Sequence, residues 1–170
     1  VLLDRGGKPR QMPGNVPSRC RRTMDFVLPG DRVFDVGVGG GELACLLLRD
    51  RQVASYAGIE LLDRQVALAR EVVAANGIDQ TPFHVQQGDL YRLTAEQVAE
   101  TGANLIICCE VLEHVPDAEL ALKTLADALP EGADLLFSVP LHGRLESVWG
   151  HCSVFDVVRL QAMLAGAGLH

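Results

Sequence analysis

Arg32-Val33-Phe34-Asp35-Val36-Gly37-Val38-Gly39-Gly40-Gly41 is the stretch that decides the fold. Its apolar residues Val33, Phe34 and Val36 read as a strand buried on both faces. Glycines follow at once, and residues 41–49 then read as a helix with Leu43, Leu46 and Leu47 on one side. Strand, glycine turn and helix in that order suit a ligand site. Glycine lets the chain turn sharply and lets a ligand approach the backbone, and the helix N-terminus behind it offers unpaired N–H groups to an anion. Asp35 precedes Gly37 by two positions, at the carboxyl end of the strand, where a carboxylate can meet an ammonium group.

Working outward, the same strand and helix patterns alternate. Strands are predicted at residues 56–60, 83–87, 103–109 and 133–139, and helices at 63–76, 94–101, 117–129 and 153–167. Gly77 is a natural C′ residue, Thr94 and Gln97 form a capping box, and Pro130 stops the helix before it. Upstream, residues 18–28 read as a short helix with Ser18 as N-cap, ended by Pro29-Gly30, and residues 1–17 as an irregular arm. Repeated strand–helix–strand units demand a parallel sheet. The predicted fold class is therefore α/β, a Rossmann-like, doubly wound, mostly parallel sheet with helices on both faces. The expected division is an arm and short helix at 1–29 and a cofactor-binding domain at 30–170.

The 170 residues fit one domain. No apolar run approaches the ~20 residues needed to span a bilayer, so no membrane partner is expected, and the N-terminus has no apolar signal segment. Five cysteines without CxxC spacing read as reduced thiols of a cytoplasmic protein. The net charge of -7 argues against a general nucleic-acid partner, which would carry a basic face. Only the first 22 residues run the other way, with Arg5, Lys8, Arg10, Arg19, Arg21 and Arg22 against Asp4.

Two further carboxylates stand at strand ends. Glu60, followed by Leu61, can accept hydrogen bonds from both hydroxyls of a ribose. Asp89, in Gly88-Asp89-Leu90, can accept from an adenine amino group. Gly39-Gly40-Gly41-Glu42-Leu43-Ala44 also fits the dinucleotide pattern G-x-G-x-x-A, which keeps a nicotinamide or flavin oxidoreductase open at this point.

The loop Asp35 to Gly41, then Glu60, then Gly88-Asp89-Leu90, then Glu110-Val111-Leu112-Glu113-His114-Val115-Pro116-Asp117 together resemble the class I S-adenosylmethionine-dependent methyltransferases. The resemblance covers roughly residues 30–169. It implies that Gly37, Gly39 and Gly41 hold the methionine part of the cofactor with Asp35 beneath it. It further implies that Glu60 takes the ribose hydroxyls, that Leu61 is among the cofactor-binding residues, that Asp89 and Leu90 flank the adenine, and that Cys109 and Glu110 close the site near the sulfonium. Members usually continue into one or two further strands. The chain stops at His170, so the C-terminal strands of the usual fold are expected to be missing. The sheet edge left open would then take a partner chain or the missing segment.

Methyl transfer to a hydroxyl needs a general base or a metal. His114, His151 and Glu113 are the candidate catalytic residues. Two subfamilies, the quinone-biosynthesis O-methyltransferases and the small-RNA 2′-O-methyltransferases, share an E-x-x-E-H arrangement with a later His. The resemblance to them implies a divalent-metal site at Glu110, Glu113, His114 and His151, with His142 as a second option for the last ligand. On a helical turn, positions i, i+3 and i+4 share a face. Trp149 and Phe155, which flank His151, read as core or lid packing. The expected activity is methylation of a small hydroxylated metabolite. A non-catalytic cofactor-binding module of a larger protein, and methylation of RNA, are the alternatives.

Overall fold

The computed structural model describes residues 18–78, 82–141 and 150–169. The arm at 1–17, His142 and Trp149 lie outside them. Among the described residues five strands form one sheet in the order β3-β2-β1-β4-β5: β1 (Arg32–Val36), β2 (Ser55–Glu60), β3 (Phe83–Gln87), β4 (Leu105–Cys109) and β5 (Asp134–Ser138). Every pairing is parallel. The chain winds outward from β1 to β3, returns to place β4 against the other side of β1, and continues to β5. The order therefore reverses between β1 and β4. Ligands of open α/β sheets bind at that crevice, outside the carboxyl ends of the strands.

Period-two alternation sorts the strand side chains onto two cores. Val33, Leu105, Ile107 and Tyr56 pack beneath α2 (Glu42–Leu46) and α3 (Asp63–Ala75), with Leu46, Leu47, Val66 and Val73. Phe34, Val36, Ile106 and Cys108 point the other way. They meet α4 (Ala95–Ala99), α5 (Ala118–Ala128) and α6 (Val157–Ala167) through Val98, Leu122, Leu125 and Met163. The first helix, α1 (Ser18–Asp25), is not a detached arm: Cys20 is buried in the first core, as is Val27 just beyond the helix.

The helix boundaries differ from the expected ones for local reasons. Ser18 is already helical, so it is not the N-cap of α1. The helix predicted at 41–49 holds α-geometry only to Leu46 and then widens into a π-helical turn, Leu47–Arg51, closed by Gln52 at φ 56°. Residues Ala44 to Leu48 are all buried there, more than one face of a short α-helix can present. The last helix begins four residues later than expected. Phe155 pairs in a parallel bridge with Leu141 and is fully buried, which holds 153–155 out of helix. Asp156 then caps α6, accepting from the Arg159 amide at 2.7 Å. The Thr94–Gln97 capping box is formed as predicted.

Burial separates two neighbouring leucines of α5. Leu122 is 0% exposed and Leu120 52% exposed. Leu122→Ala is expected to cost about 2–5 kcal/mol of unfolding free energy in urea titrations, and Leu120→Ala about 0.5 kcal/mol or less. Equal costs would mean that α5 packs through a different face.

Candidate functional site

The reversal between β1 and β4 leaves a cavity of about 330 Å³ at the carboxyl ends of those strands. Asp35, Gly37, Gly39 and Gly40 form its floor, Cys109, Glu110 and His114 one wall, and α2 another through Glu42 and Leu43. The rest comes from Arg19 of α1, noted in the sequence only as part of the basic N-terminal stretch, and from residues the sequence did not single out: Cys20 and Thr23 from α1, and Ser138 at the end of β5. Ser138 stands opposite Cys109 in the sheet register. The rule that ligands gather at carboxyl ends of strands would have found it. Nothing in the local pattern of α1 points at the cavity.

The glycine loop divides its labour. Gly37 has φ 86°, and a Cβ there would collide with the Val111 side chain. Gly41, the N-cap of α2 at φ 81°, lies so close to α3 that a Cβ would stand 3.0 Å from the Ala69 Cα. Both are needed for the turn and the packing. Gly39 differs, because a Cβ there would meet nothing within 4 Å. That side of the loop is open for a ligand.

Two carboxylates bracket the loop. Asp35 is 3% exposed and accepts a hydrogen bond from the Tyr56 hydroxyl. Burial pushes its pKa up to about 7; the Tyr56 bond opposes the rise and the Glu60 charge adds to it. Tyr56 is a further residue missed in the sequence, although a buried tyrosine in a strand must find a partner for its hydroxyl. Glu60 accepts from the amide of Gly39 at 2.9 Å and from that of Leu62 at 3.0 Å, so it fixes the loop from the β2 side.

A second cavity, of about 350 Å³, opens beyond the ends of β2 and β3, where Leu61, Gly88, Asp89 and Arg92 line it. The Asp89 side chain accepts from the Tyr91 amide at 3.0 Å. Leu90 and Gly41 line neither cavity; Leu90 is buried in the second core.

The segment after β4 rearranges the predicted metal set. Glu110 has φ 57°, an uncommon conformation for a side-chain-bearing residue. Its carboxylate accepts from the Ser138 hydroxyl at 2.8 Å, and its amide donates to the Ser138 carbonyl at 3.0 Å. Glu110 therefore stands outside the cluster. Glu113, His114 and His151 do come together, with one potential ligand atom each within 4.8 Å of the others. The turn that carries the first two is a single 3₁₀ turn, Leu112–His114, because Pro116 disfavours helix at Val115. Glu113 is 1% exposed, and its Oε2 has no hydrogen-bond partner among the described residues. Burial raises its pKa. The Glu113 carbonyl takes the Cys152 amide at 2.6 Å, which pins His151 beside His114, ring to ring at 4.9 Å.

With this geometry in view, the comparisons with known proteins converge. The family described as "Methyltransferase domain" matches residues 12–170. The chain belongs to the class I S-adenosylmethionine-dependent methyltransferases. The chain is 35% identical over 123 residues to the ubiquinone biosynthesis O-methyltransferase of Hahella chejuensis (strain KCTC 2396), across 68% of this chain and 48% of that one. It is 39% identical over 111 residues to the enzyme of the same name from Xylella fastidiosa (strain M23), across 65% and 42%. The chain thus spans about half the length of the curated relatives it matches. The solved YcgJ protein from Bacillus subtilis shares the fold at a TM-score of 0.68 and 18% identity, over 88% of this chain and 67% of that one. This methyltransferase domain has five free cysteines, three of them buried. Among its described residues no helix is long and apolar enough to cross a membrane.

The buried Asp35 gives the domain a pH signature. Unfolded, its carboxyl titrates near 3.9; folded, at about 7. Between those values the folded state holds a proton that the unfolded state releases, so stability falls as pH rises and levels off above about 7. Asp35→Asn removes that slope. The variant is expected to melt at a higher temperature than the parent at pH 8, with the gap closing toward pH 4. A variant that melts lower than the parent at pH 8 contradicts the assignment.

Proposed function

We propose that this chain is a methyltransferase that uses S-adenosylmethionine to methylate a hydroxyl of a small molecule. The observation that carries the reading is the crevice between β1 and β4, where a glycine loop with an open face at Gly39 lies between the carboxylates of Asp35 and Glu60. That donor set fits the cofactor. Asp35 suits an ammonium group, Gly37 and Gly39 border the methionine portion, and Glu60 has lone pairs left for ribose hydroxyls beyond the two amides it already accepts. Leu61 and Asp89, in the second cavity, suit the adenine. Cys109 and Glu110 border the reacting end. We retain 30–170 as the cofactor domain, with 1–29 as arm and helix. We also retain a cytoplasmic location, in keeping with the free cysteines.

When bound, S-adenosylmethionine supplies an electrophilic methyl group on a sulfonium. The residues of this chain hold the acceptor and take its proton. His114 reaches the first cavity and is 42% exposed at its side chain. Its Nδ1 faces the Gly150 carbonyl at 3.3 Å. In the tautomer that donates there, Nε2 carries the lone pair and can accept the proton of an acceptor hydroxyl. The Glu113 carboxylate, 3.9 Å from Nε2, then stabilises the imidazolium formed. The relatives' name, an O-methyltransferase of ubiquinone biosynthesis, supports a hydroxyl acceptor.

One observation favours a metal at the same place. The unpartnered Glu113 Oε2 lies beside two imidazoles, and one carboxylate with two histidines suits a divalent transition metal. Glu113, His114 and His151 would hold it, and it would lower the pKa of a bound hydroxyl.

Calorimetric titration with S-adenosylhomocysteine is expected to give saturable micromolar binding, and titration with NADH none. The reverse preference would sink the methyltransferase reading, and binding without turnover on any hydroxylated acceptor would favour a non-catalytic module. For the proton acceptor, His114→Ala is expected to lower kcat by roughly 10²–10⁴-fold with S-adenosylhomocysteine affinity unchanged. If a metal is the activator instead, a chelator abolishes turnover of the parent protein.

A further inference from the structure

The two carboxylates that bracket the glycine loop are held differently. Glu60 accepts from two backbone amides, whereas Asp35 accepts from a side chain, the Tyr56 hydroxyl. The sheet register brings that hydroxyl within reach. Asp35 stands directly opposite Gly58 on β2, and Tyr56 lies two residues before Gly58 on the same face. Gly58 carries no side chain to stand between them, and a Cβ there would collide with the Asp35 carbonyl and with Val38. The Tyr56 ring is fully buried and stacks on Phe83 of β3 with centroids 5.7 Å apart, which fixes the direction of the hydroxyl. Burial and the Asp35 charge push that hydroxyl well above the ordinary tyrosine range, so it remains a donor at any working pH.

Asp35 itself lines the first cavity. Among the described residues no arginine, lysine or histidine comes within ion-pair distance of it. The ionisable groups that face it are Tyr56 and Glu60 on β2 and the thiols of Cys108 and Cys109 on β4, with Cys45 of α2 beside Tyr56. Arg19 and Cys20 of α1, Glu42 of α2, and Glu110 and His114 after β4 share its cavity. Burial pushes all four thiols up, so they are neutral, and Glu60 only repels. A buried carboxylate at a cavity wall, given one hydroxyl donor and no cation, is a seat for a cation from outside.

We propose that Tyr56 is a positioning residue for the cofactor: its hydroxyl holds Asp35 as the anion that receives the cofactor's ammonium group, and Asp35 gives up a proton as that group arrives. The identity of the cation rests on the methyltransferase reading. The Asp35 O–H bond breaks, its proton passes to the solvent, and the ammonium keeps its own. A hydrogen bond to the ionised form of an acid favours that form. Tyr56 thus sets the pH above which the cofactor binds, without touching it.

The test is calorimetry between pH 6 and pH 8.5 with S-adenosylhomocysteine, which carries the ammonium, and with methylthioadenosine, which lacks it. Buffers of different ionisation enthalpy count the protons released. The parent's affinity for S-adenosylhomocysteine is expected to rise roughly tenfold over that range and to level off above about 7. About half a proton is expected to leave per ligand bound at pH 7. Methylthioadenosine is expected to show neither effect. Tyr56→Phe is expected to bind S-adenosylhomocysteine roughly tenfold more weakly than the parent at pH 6.5 and within about twofold at pH 8.5. It is expected to release more of a proton at pH 7 than the parent does, and Asp35→Asn none. A second measurement leaves both side chains in place. Tyr56 and Tyr91 are the only tyrosines of the chain, so 3-fluorotyrosine gives two fluorine resonances that Tyr91→Phe assigns. The Tyr56 resonance is expected to titrate with a midpoint of about 7 in the free protein and to lose that step at saturating S-adenosylhomocysteine. If Tyr56→Phe does not fold, the fluorine titration decides. A loss of affinity in Tyr56→Phe that is equal at every pH, no proton release by the parent, or a Tyr56 resonance indifferent to pH overturns the proposal alone. Absence of S-adenosylhomocysteine binding at every pH overturns the methyltransferase reading and the proposal with it.

Discussion

The reversal of strand order between β1 and β4 is the constraint on which the rest of the structure depends. Neighbouring strands that leave in opposite directions cannot both be covered by the same connecting helices at their carboxyl ends, so a crevice opens there. The polar groups at the ends of β1 and β4 converge on that opening. Asp35 and the glycine loop arrive from β1, and Glu110, Glu113 and His114 arrive from β4. The neighbouring strands then supply support: Glu60 from β2 holds the Gly39 amide, and Ser138 from β5 holds Glu110.

The crevice is built of polar groups placed at the edge of an apolar sheet, and that placement has a cost. Asp35 is a buried carboxyl whose ionised form is disfavoured by lost hydration, and one tyrosine hydroxyl only partly offsets it. Glu113 is buried with an oxygen left unpaired among the described residues. Glu110 adopts a left-handed backbone that its side chain does not favour. Three such features around one opening are what a site retains when binding matters more than stability.

The fold was legible because its signals are periodic and local. Fully apolar strands such as Leu105–Cys109, a glycine turn after β1 and capped helices between them leave few arrangements open, and the parallel sheet follows. Asp35 and Glu60 were legible too, since strand ends are identifiable in the sequence. The spacing of Glu110, Glu113 and His114 did not by itself decide whether all three share a face. A shared helical face requires helix from the first to the last residue, but Glu110 turns left-handed to bond Ser138, and the turn at Leu112–His114 is too short to bring it back.

The sequence by itself determined the alternation of strands and helices, the position of the glycine loop, and which carboxylates end β1 and β2. These depend on side-chain periodicity and backbone propensity over a few residues. Only the tertiary structure decided that α1 walls the crevice with Arg19, Cys20 and Thr23, that Tyr56 partners Asp35, and that Glu113, His114 and His151 come together while Glu110 turns away to Ser138. These are contacts between elements distant in sequence. They are set by how two apolar cores close on the sheet, and no local pattern encodes them.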